Sequence, residues 1–306
     1  MMQPNLVEVR PTLRRTDFPE VVVVETVARC NLSCPMCPQP DLKRARGEMP
    51  MPLFHNIVDE VARENPDTDF WLAIMGEPLL MGERFIEMVA YAKRQGLRRV
   101  HLNSNACLLT EELARGLIHA GLDEIIVGMD AVTEATYRVV RQGGDFHTTV
   151  ANVERLIALK KELGVTTPRL IMQFIVMDEN EHEVEEFKAF WLARGQVVKL
   201  RPKLGWGTGV KADNLTLPDS ERNFPCPWLI RTVSIQWNGR LNQCDADFEG
   251  AYSPGDLNRQ SLREIWNGEL ARRREKHWSQ DFSHDLCKQC KDWAAGRSLF
   301  LNPPVI

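Results

Sequence analysis

Apolar and polar positions follow two periods along most of this chain. From residue 21 to about residue 205, short apolar runs of strand length alternate with stretches whose apolar residues recur every three or four positions. The second pattern marks helices with one buried face. Strands are expected at 21–25, 69–75, 99–103, 124–127, 170–177 and 197–200. Helices are expected between them, one with Leu53, Ile57, Val58 and Val61 on a face and one through Phe85, Met88, Val89 and Ala92. The next has Thr110 as N-cap, Glu111 and Glu112 in its first turn and Gly121 beyond its end. Two more run around Val150, Val153 and Ile157 and through Val184, Phe187 and Trp191. Six such units call for an α/β fold, a parallel sheet with helices outside, open or curled into a partial barrel. Chemistry in such folds sits at the C-terminal ends of the strands.

Around residue 205 the pattern stops. The stretch GWGTGVKADNLTLPDS reads as a linker or covering loop. Beyond it, strands at 232–237 and 240–244 flank Asn238-Gly239, the pair preferred in a two-residue hairpin turn. Ser261 and Glu264 then open a helix with a capping box. The expected organisation is an extension at 1–19, the repeating α/β region at 20–205, a linker at 206–222, a small α+β region at 223–296 and a tail at 297–306.

Charge and composition narrow the function. Thirty-eight basic against 42 acidic side chains leave a net charge of −4, which excludes the concentrated basic face of a nucleic-acid binder. No apolar run approaches the ~18 residues of a membrane span. The N-terminal residues lack the apolar core of a secretory signal, so a cytoplasmic protein is expected. Eight cysteines are the unusual count for a chain of 306 residues. In a reducing compartment they point to metal binding or reactivity rather than to disulfides.

Their positions divide them. Cys30-Asn-Leu-Ser-Cys34-Pro-Met-Cys37 follows the first strand directly. Three thiolates on one loop can hold three corners of a cubane iron–sulfur cluster and leave the fourth iron open to a chelating substrate. Zinc with a fourth ligand from elsewhere is the other reading. Cys226, Cys244, Cys287 and Cys290 form a later quartet: the hairpin brings the first two together and a C-x2-C pair adds two corners. Four thiolates close either a [4Fe–4S] cluster or a structural zinc site.

The C-x3-C-x2-C trio at a first strand end resembles the signature of the radical S-adenosylmethionine (SAM) superfamily. Met75-Gly76-Glu77-Pro78, at the end of the second strand, is similar to that family's glycine–glutamate motif. The resemblance covers roughly residues 20–205 and implies a partial (β/α)6 TIM-type barrel. By the match, Gly76 and Glu77 would hold the amino group of the methionine moiety through backbone and carboxylate. Asn103 and Asn105 resemble the polar third strand end that faces the cofactor. Asp130 resembles the acid of a Ser-x-Asp-Ala stretch, although Gly128 stands where a serine is common, and Met36 replaces an aromatic often found before the last cysteine. Arg141, in Arg-Gln-Gly-Gly-Asp, is a further candidate contact to the cofactor.

The quartet region, with Gly255-Asp256-Leu257 and Ile265-Trp266, resembles the SPASM/twitch extension of the same superfamily. Four cysteines rather than seven match the shorter twitch form with one auxiliary cluster. The whole resembles 2-deoxy-scyllo-inosamine dehydrogenase-like enzymes. The cofactors implied are S-adenosyl-L-methionine and two [4Fe–4S] clusters. The partners implied are a small polar substrate of sugar, aminocyclitol or aminoglycoside type and a one-electron donor such as flavodoxin or ferredoxin.

The expected reaction is two-electron oxidation of a secondary carbon, begun by a 5′-deoxyadenosyl radical. The second reading is a radical epimerase in which Cys107, beyond the third strand, donates a hydrogen atom. A zinc-stabilised α/β binding protein is the reading from another class. Arg201 and Lys203, at the sixth strand end, could bind a carboxylate or deprotonate a radical intermediate. Trp206 is expected to line the pocket or cover the barrel bottom, His101 to be a satisfied core residue, and residues 272–276 to form a solvated helix face.

Overall fold

The computed structural model describes residues 10–213, 218–295 and 299–301. Six parallel strands follow one another in chain order: β1 (Val21–Val24), β2 (Asp69–Leu72), β3 (Arg99–Ser104), β4 (Glu124–Gly128), β5 (Arg169–Val176) and β6 (Val197–Pro202). The connecting helices are α1 (Met51–Glu64), α2 (Glu83–Arg94), α3 (Glu111–His119), α4 (Glu134–Val140), α5 (Phe146–Glu162) and α6 (Val184–Leu192). The α/β expectation holds, with a barrel-like parallel sheet. Between β4 and β5 the sequence reading found one helix where the chain forms two. The short α4, capped by Thr133, was hidden because Arg-Gln-Gly-Gly-Asp separates it from α5, capped by Asp145.

Each strand splits its residues between two faces. Val22, Val24, Phe70, Leu72, Val100 and Leu102 point outward into the main core under the helices. Their alternates Val21, Val23, Trp71, Ala73 and Asn103 point inward and line a cavity. Both faces are covered, as parallel sheets require.

The C-terminal region adds to this sheet. β7 (Thr232–Ile235) pairs parallel to β1, and β8 (Leu241–Asn242) pairs antiparallel to β7. At the other edge β9 (Leu299–Leu301) pairs antiparallel to β6, inside the stretch expected to be a tail. The sheet order is therefore β8-β7-β1-β2-β3-β4-β5-β6-β9. The β7–β8 turn has three residues rather than two. Gln236 N–H donates to Arg240 O and Gly239 N–H to Gln236 O, which leaves Trp237, Asn238 and Gly239 in the loop, with Gly239 at φ +90°. Such a loop ends in a residue of left-handed conformation, the position Gly supplies without strain.

The remaining helices are α7 (Pro227–Arg231), α8 (Leu262–Asn267), α9 (Glu269–Trp278) and α10 (Asp285–Lys288). The capping box of Ser261 and Glu264 is present. The 272–276 run is not wholly solvated: Arg274 is buried over the Trp266 ring and donates to the Trp266 carbonyl. Arg273 donates to Gln243 Oε1 and the Tyr252 carbonyl. The cause is the break at Gly268, which turns α9 so that its arginines cross back over the region.

The lower end of the sheet's interior is closed by a charged layer and an apolar one. His101 Nε2 lies 3.1 Å from Asp69 Oδ1, and its Nδ1 lies 3.4 Å from Glu124 Oε1. The ring stacks on Trp71 at 4.3 Å, and Ile126, Ile171 and Val197 pack beside that indole. Burial opposes charge on the imidazole, but the two carboxylates win and raise its pKa. A histidine raised in the folded state stabilises it fully below the unfolded value of about 6.5 and loses that contribution as pH rises through the folded value. Wild type should therefore exceed His101→Gln in thermal midpoint at pH 6, and the gap should shrink by pH 9. Thermal unfolding at both values checks this, and a gap that widens with pH contradicts it.

Candidate functional site

A cavity of about 400 Å³ occupies the upper interior of the sheet. Its wall holds Cys30, Cys34 and Cys37 at one side and Asp245 and Trp228, from the C-terminal region, at another. All eight cysteines are free thiols.

The trio loop follows β1 and is held by polar contacts from neighbouring strand ends. Asn105 Nδ2 donates to Asn31 Oδ1 at 2.9 Å and points at Cys30 Sγ at 3.8 Å. Leu32 N–H approaches the same sulfur at 3.4 Å, and Arg141 Nη1 lies 3.8 Å from Cys34 Sγ. These donors suit sulfurs that carry negative charge. Burial pushes the Cys30 thiol up to about 11 and Cys37 to about 12, so the loop favours thiolates only beside a strong positive charge such as cluster iron.

Gly76 and Glu77 lie beside this loop. A Cβ on Gly76 would stand 2.0 Å from the Val27 carbonyl oxygen, so only glycine permits the approach. Glu77 N–H donates to the Arg29 carbonyl. The Glu77 carboxylate accepts from Ser104 Oγ at 2.8 Å, Asn105 N at 2.8 Å and Leu79 N at 3.1 Å. Burial raises its pKa while those donors pull it back. The side chain thus clips the ends of β2 and β3 together, and Gly76 and Glu77 both line the cavity.

Arg141 lines the cavity and pairs with Asp130, which also accepts from Ile175 N at 2.6 Å. Asp130 is fully buried and stands behind Arg141, outside the cavity wall. The absent serine at 128 has a steric reason, since a Cβ there would lie 2.2 Å from Arg141 Nη2. Arg141 Nε is a buried donor without a partner among the described residues, and so offers itself to a ligand carboxylate. Asn103 and Asn105 both line the cavity, and Asn105 also holds the cysteine loop.

Cys107 does not line the cavity. Its sulfur sits 3.3 Å from Thr149 Oγ1 and 3.5 Å from Tyr137 Oη. On β6, Lys199 and Arg201 both line the cavity, and Lys203 does not. Burial, helped by Arg201, brings Lys199 down to about 7. Trp206 lines the upper wall and donates from Nε1 to the Met36 carbonyl at 3.2 Å, so it covers the cysteine loop rather than the barrel bottom.

The quartet belongs to the region whose Trp228 and Asp245 line the cavity. Cys226 caps α7, Cys244 follows β8, and Cys287 and Cys290 flank the end of α10. The four thiols are close enough to raise one another's pKa, after burial as the main cause, and Gln243 Nε2 points at Cys287 Sγ at 3.4 Å. Among the described residues no three His, Cys, Asp or Glu groups converge on a single ion position. Zinc would draw its sulfurs to about 2.3 Å from one point, whereas a cubane takes them at separate corners. Three cysteines on one loop and four in the C-terminal region are donor sets of the kind iron–sulfur clusters take. Asp245 and Lys199 are the residues that sequence reasoning missed; period-two alternation from Arg201 would have found Lys199, and Asp245 adjoins a predicted ligand.

Comparisons with known proteins agree with this geometry. The Radical SAM superfamily profile matches residues 24–190, and the SPASM iron–sulfur cluster-binding domain matches residues 226–291. The chain is similar to a tungsten-containing aldehyde ferredoxin oxidoreductase cofactor-modifying protein of Pyrococcus furiosus, at 27% identity over 56% of this chain and 48% of that protein. It is similar to a PqqA peptide cyclase of Gluconobacter oxydans, at 25% identity over 91% of this chain and 86% of that one. It spans about half the length of several curated relatives it matches. Among solved structures, BtrN in complex with AdoMet and 2-DOIA superposes with a TM-score of 0.60 at 20% identity, over 90% of this chain and 94% of that one. At that identity the likeness is one of fold.

Gly128→Ser should push Arg141 aside and cost about 1.5–3 kcal/mol of charge-assisted hydrogen bonding to a ligand carboxylate. S-adenosylmethionine should then bind roughly ten- to a hundredfold more weakly at unchanged iron content. Equilibrium dialysis of anaerobic protein measures both, and unchanged affinity would remove Arg141 from the ligand site.

Proposed function

The chain belongs to the radical SAM superfamily, and we propose that it oxidises a secondary carbinol or amine carbon of a small polar substrate by two electrons. Its cofactors are S-adenosylmethionine and [4Fe–4S] clusters. The observation that carries the proposal is one cavity bounded by the cysteine trio on one side and by Asp245, the neighbour of Cys244, on another. A substrate there lies between the two cysteine sets.

In this reading Cys30, Cys34 and Cys37 hold the first cluster, and Cys226, Cys244, Cys287 and Cys290 the auxiliary one. Bound there, the cofactors supply a 5′-deoxyadenosyl radical that takes a hydrogen atom and an acceptor for the second electron. The protein's own groups do the rest. The Gly76–Glu77 backbone and Arg141 orient the methionine moiety at its ammonium and carboxylate. Trp206 and Trp228 screen the cavity from water, which protects a radical from side reactions. Asp245, held by Ser234 Oγ, is the carboxylate at the wall placed to accept the substrate's hydroxyl or ammonium proton. Arg201 holds the substrate from β6. A one-electron donor of flavodoxin or ferredoxin type completes the cycle.

The position of Cys107 weighs against epimerisation, because its thiol faces Tyr137 and Thr149. Cys107→Ala should retain oxidation within about twofold, whereas an epimerase would lose product while still cleaving its cofactor. Reconstituted protein should carry about eight irons, and about four after replacement of Cys30, Cys34 and Cys37. Asp245→Asn should still release 5′-deoxyadenosine but slow product formation by about 10²–10⁴-fold, the usual contribution of a positioned base. Mass spectrometry of products formed in deuterium oxide decides the outcome: a product two hydrogens lighter fits oxidation, and an isomer with one deuterium on carbon sinks it.

A further inference from the structure

We propose that the Gln243 side-chain amide, aimed by Arg273, donates a hydrogen bond to the Cys287 sulfur and raises the reduction potential of the auxiliary cluster. The inference rests on the reading that the quartet holds that cluster, and it names residues that fit the cluster to accept an electron. Gln243 precedes Cys244 in the chain, yet its side chain crosses to the C-x2-C pair. There Nε2 lies 3.4 Å from Cys287 Sγ, and both residues are buried. The backbone is pinned, because Gln243 N–H donates to Asp247 Oδ2 at 3.0 Å. The amide cannot turn over either. Arg273 Nη1 donates to Gln243 Oε1 at 2.7 Å, and a guanidinium can only donate, so the N–H end must face the sulfur. Arg273 is itself held, by Glu269 Oε1 at 3.0 Å and the Tyr252 carbonyl at 2.6 Å.

A reduced cluster places more negative charge on its sulfurs than an oxidised one. A donor at a ligand sulfur therefore binds the reduced form more strongly and favours reduction. Burial strengthens the effect. The charges at this corner act in the same direction. Arg222 Nη1 donates to the Cys287 carbonyl at 2.8 Å, and its guanidinium packs 4.0 Å from the centre of the Phe282 ring. Arg222 and Arg273 are both within electrostatic range of the Cys287 thiol. The acids of the region act on the other cysteines: Asp245 on Cys244, and Asp292 on Cys290 and Cys226. Those acids oppose reduction, and Cys287 is the corner where donors offset them. In the oxidation reading the substrate radical passes a proton to Asp245 and one electron to the auxiliary cluster. Gln243 touches neither substrate nor reacting atoms; it acts through the sulfur.

Redox titration of anaerobic holoenzyme, followed by electron paramagnetic resonance, reads both clusters, and the full chain with Cys30, Cys34 and Cys37 replaced identifies the auxiliary signal. Gln243→Leu should lower the reduction equilibrium of that signal about tenfold, or about 59 mV for one electron. Gln243→Glu should lower it at least as far, because a carboxylate then faces the sulfur, and the trio signal should not move. Arg273→Met should lower it severalfold in the wild-type chain but by no more than about twofold beside Gln243→Leu, since aiming matters only while the amide is there. Iron content shows that each variant keeps its clusters. Without any substitution at Gln243, protein carrying nitrogen-15 in its glutamine side chains should show a nitrogen-15 coupling to the reduced auxiliary cluster in pulsed measurements. An unchanged or raised potential in Gln243→Leu, or no such coupling, overturns the hydrogen bond. Equal effects of Arg273→Met in both backgrounds overturn the aiming role. No iron in the chain that lacks the trio would overturn the quartet reading and the tuning with it. If the potential falls as expected but the auxiliary cluster stays oxidised during turnover, the oxidation reading fails and the tuning stands.

Discussion

The parallel pairing of β7 with β1 is the contact on which the site depends. Val21–Val24 meets Thr232–Ile235 in register across some two hundred residues of chain. A parallel partner cannot come from a hairpin and needs a long connection. Here that connection is nearly the whole molecule, and it adds the quartet region to the edge strand that carries the trio. Further ties lock the same seam. Glu25, at the end of β1, is buried against Arg44 and accepts from Trp237 N at 3.1 Å, while Glu249 accepts from the Lys43 and Arg44 amides. The trio therefore lines a cavity whose other wall carries Trp228, Thr232 and Asp245 of the quartet region.

The rim of that sheet concentrates backbone strain. Ile74, Ala106, Asp130 and Trp206 all have positive φ, at 121°, 57°, 56° and 48°, and they follow β2, β3, β4 and β6 in turn. Residues with a Cβ avoid this region, and they persist there only where surrounding contacts over-determine them. The contacts are visible: Glu77 clips two strand ends, Asp130 is locked by Arg141 and two amide groups, and Trp206 is held by the Met36 carbonyl and by Asp292, which accepts from the flanking Gly205 and Gly207 amides. Polar side chains that resemble ligand contacts in the sequence thus also frame the site. Glu77 and Asn105 line the cavity while they tie strand ends and loop together, and Asp130 stands behind Arg141.

Burial sets the electrostatics of the interior. It raises the trio thiols and lowers Lys199, so these groups give up charge more readily than in water, whereas Asp130 keeps the Arg141 guanidinium charged. A cavity of this kind favours charged ligands that complete pairs. The same low-dielectric surroundings with three indoles at the wall suit chemistry that water would quench.

Much was legible in the chain alone. Strand and helix periods located the six strands of the repeating region because both faces of each are covered, which makes their apolar runs continuous. Cysteine spacing gave both cluster sets, since ligand spacing on a short loop is a local property. Trp237-Asn238-Gly239 could not be told from a two-residue turn, because loop length depends on which strand residues pair. The direction of Cys107 and the commitment of Asp130 to Arg141 were beyond local reading. Each depends on which distant side chain occupies the neighbouring volume. The sequence determined the elements and the chemistry they carry, whose signals span a few residues. The tertiary structure alone decided which of those groups meet, because long-range strand pairing and packing assign each side chain to the cavity or to its frame.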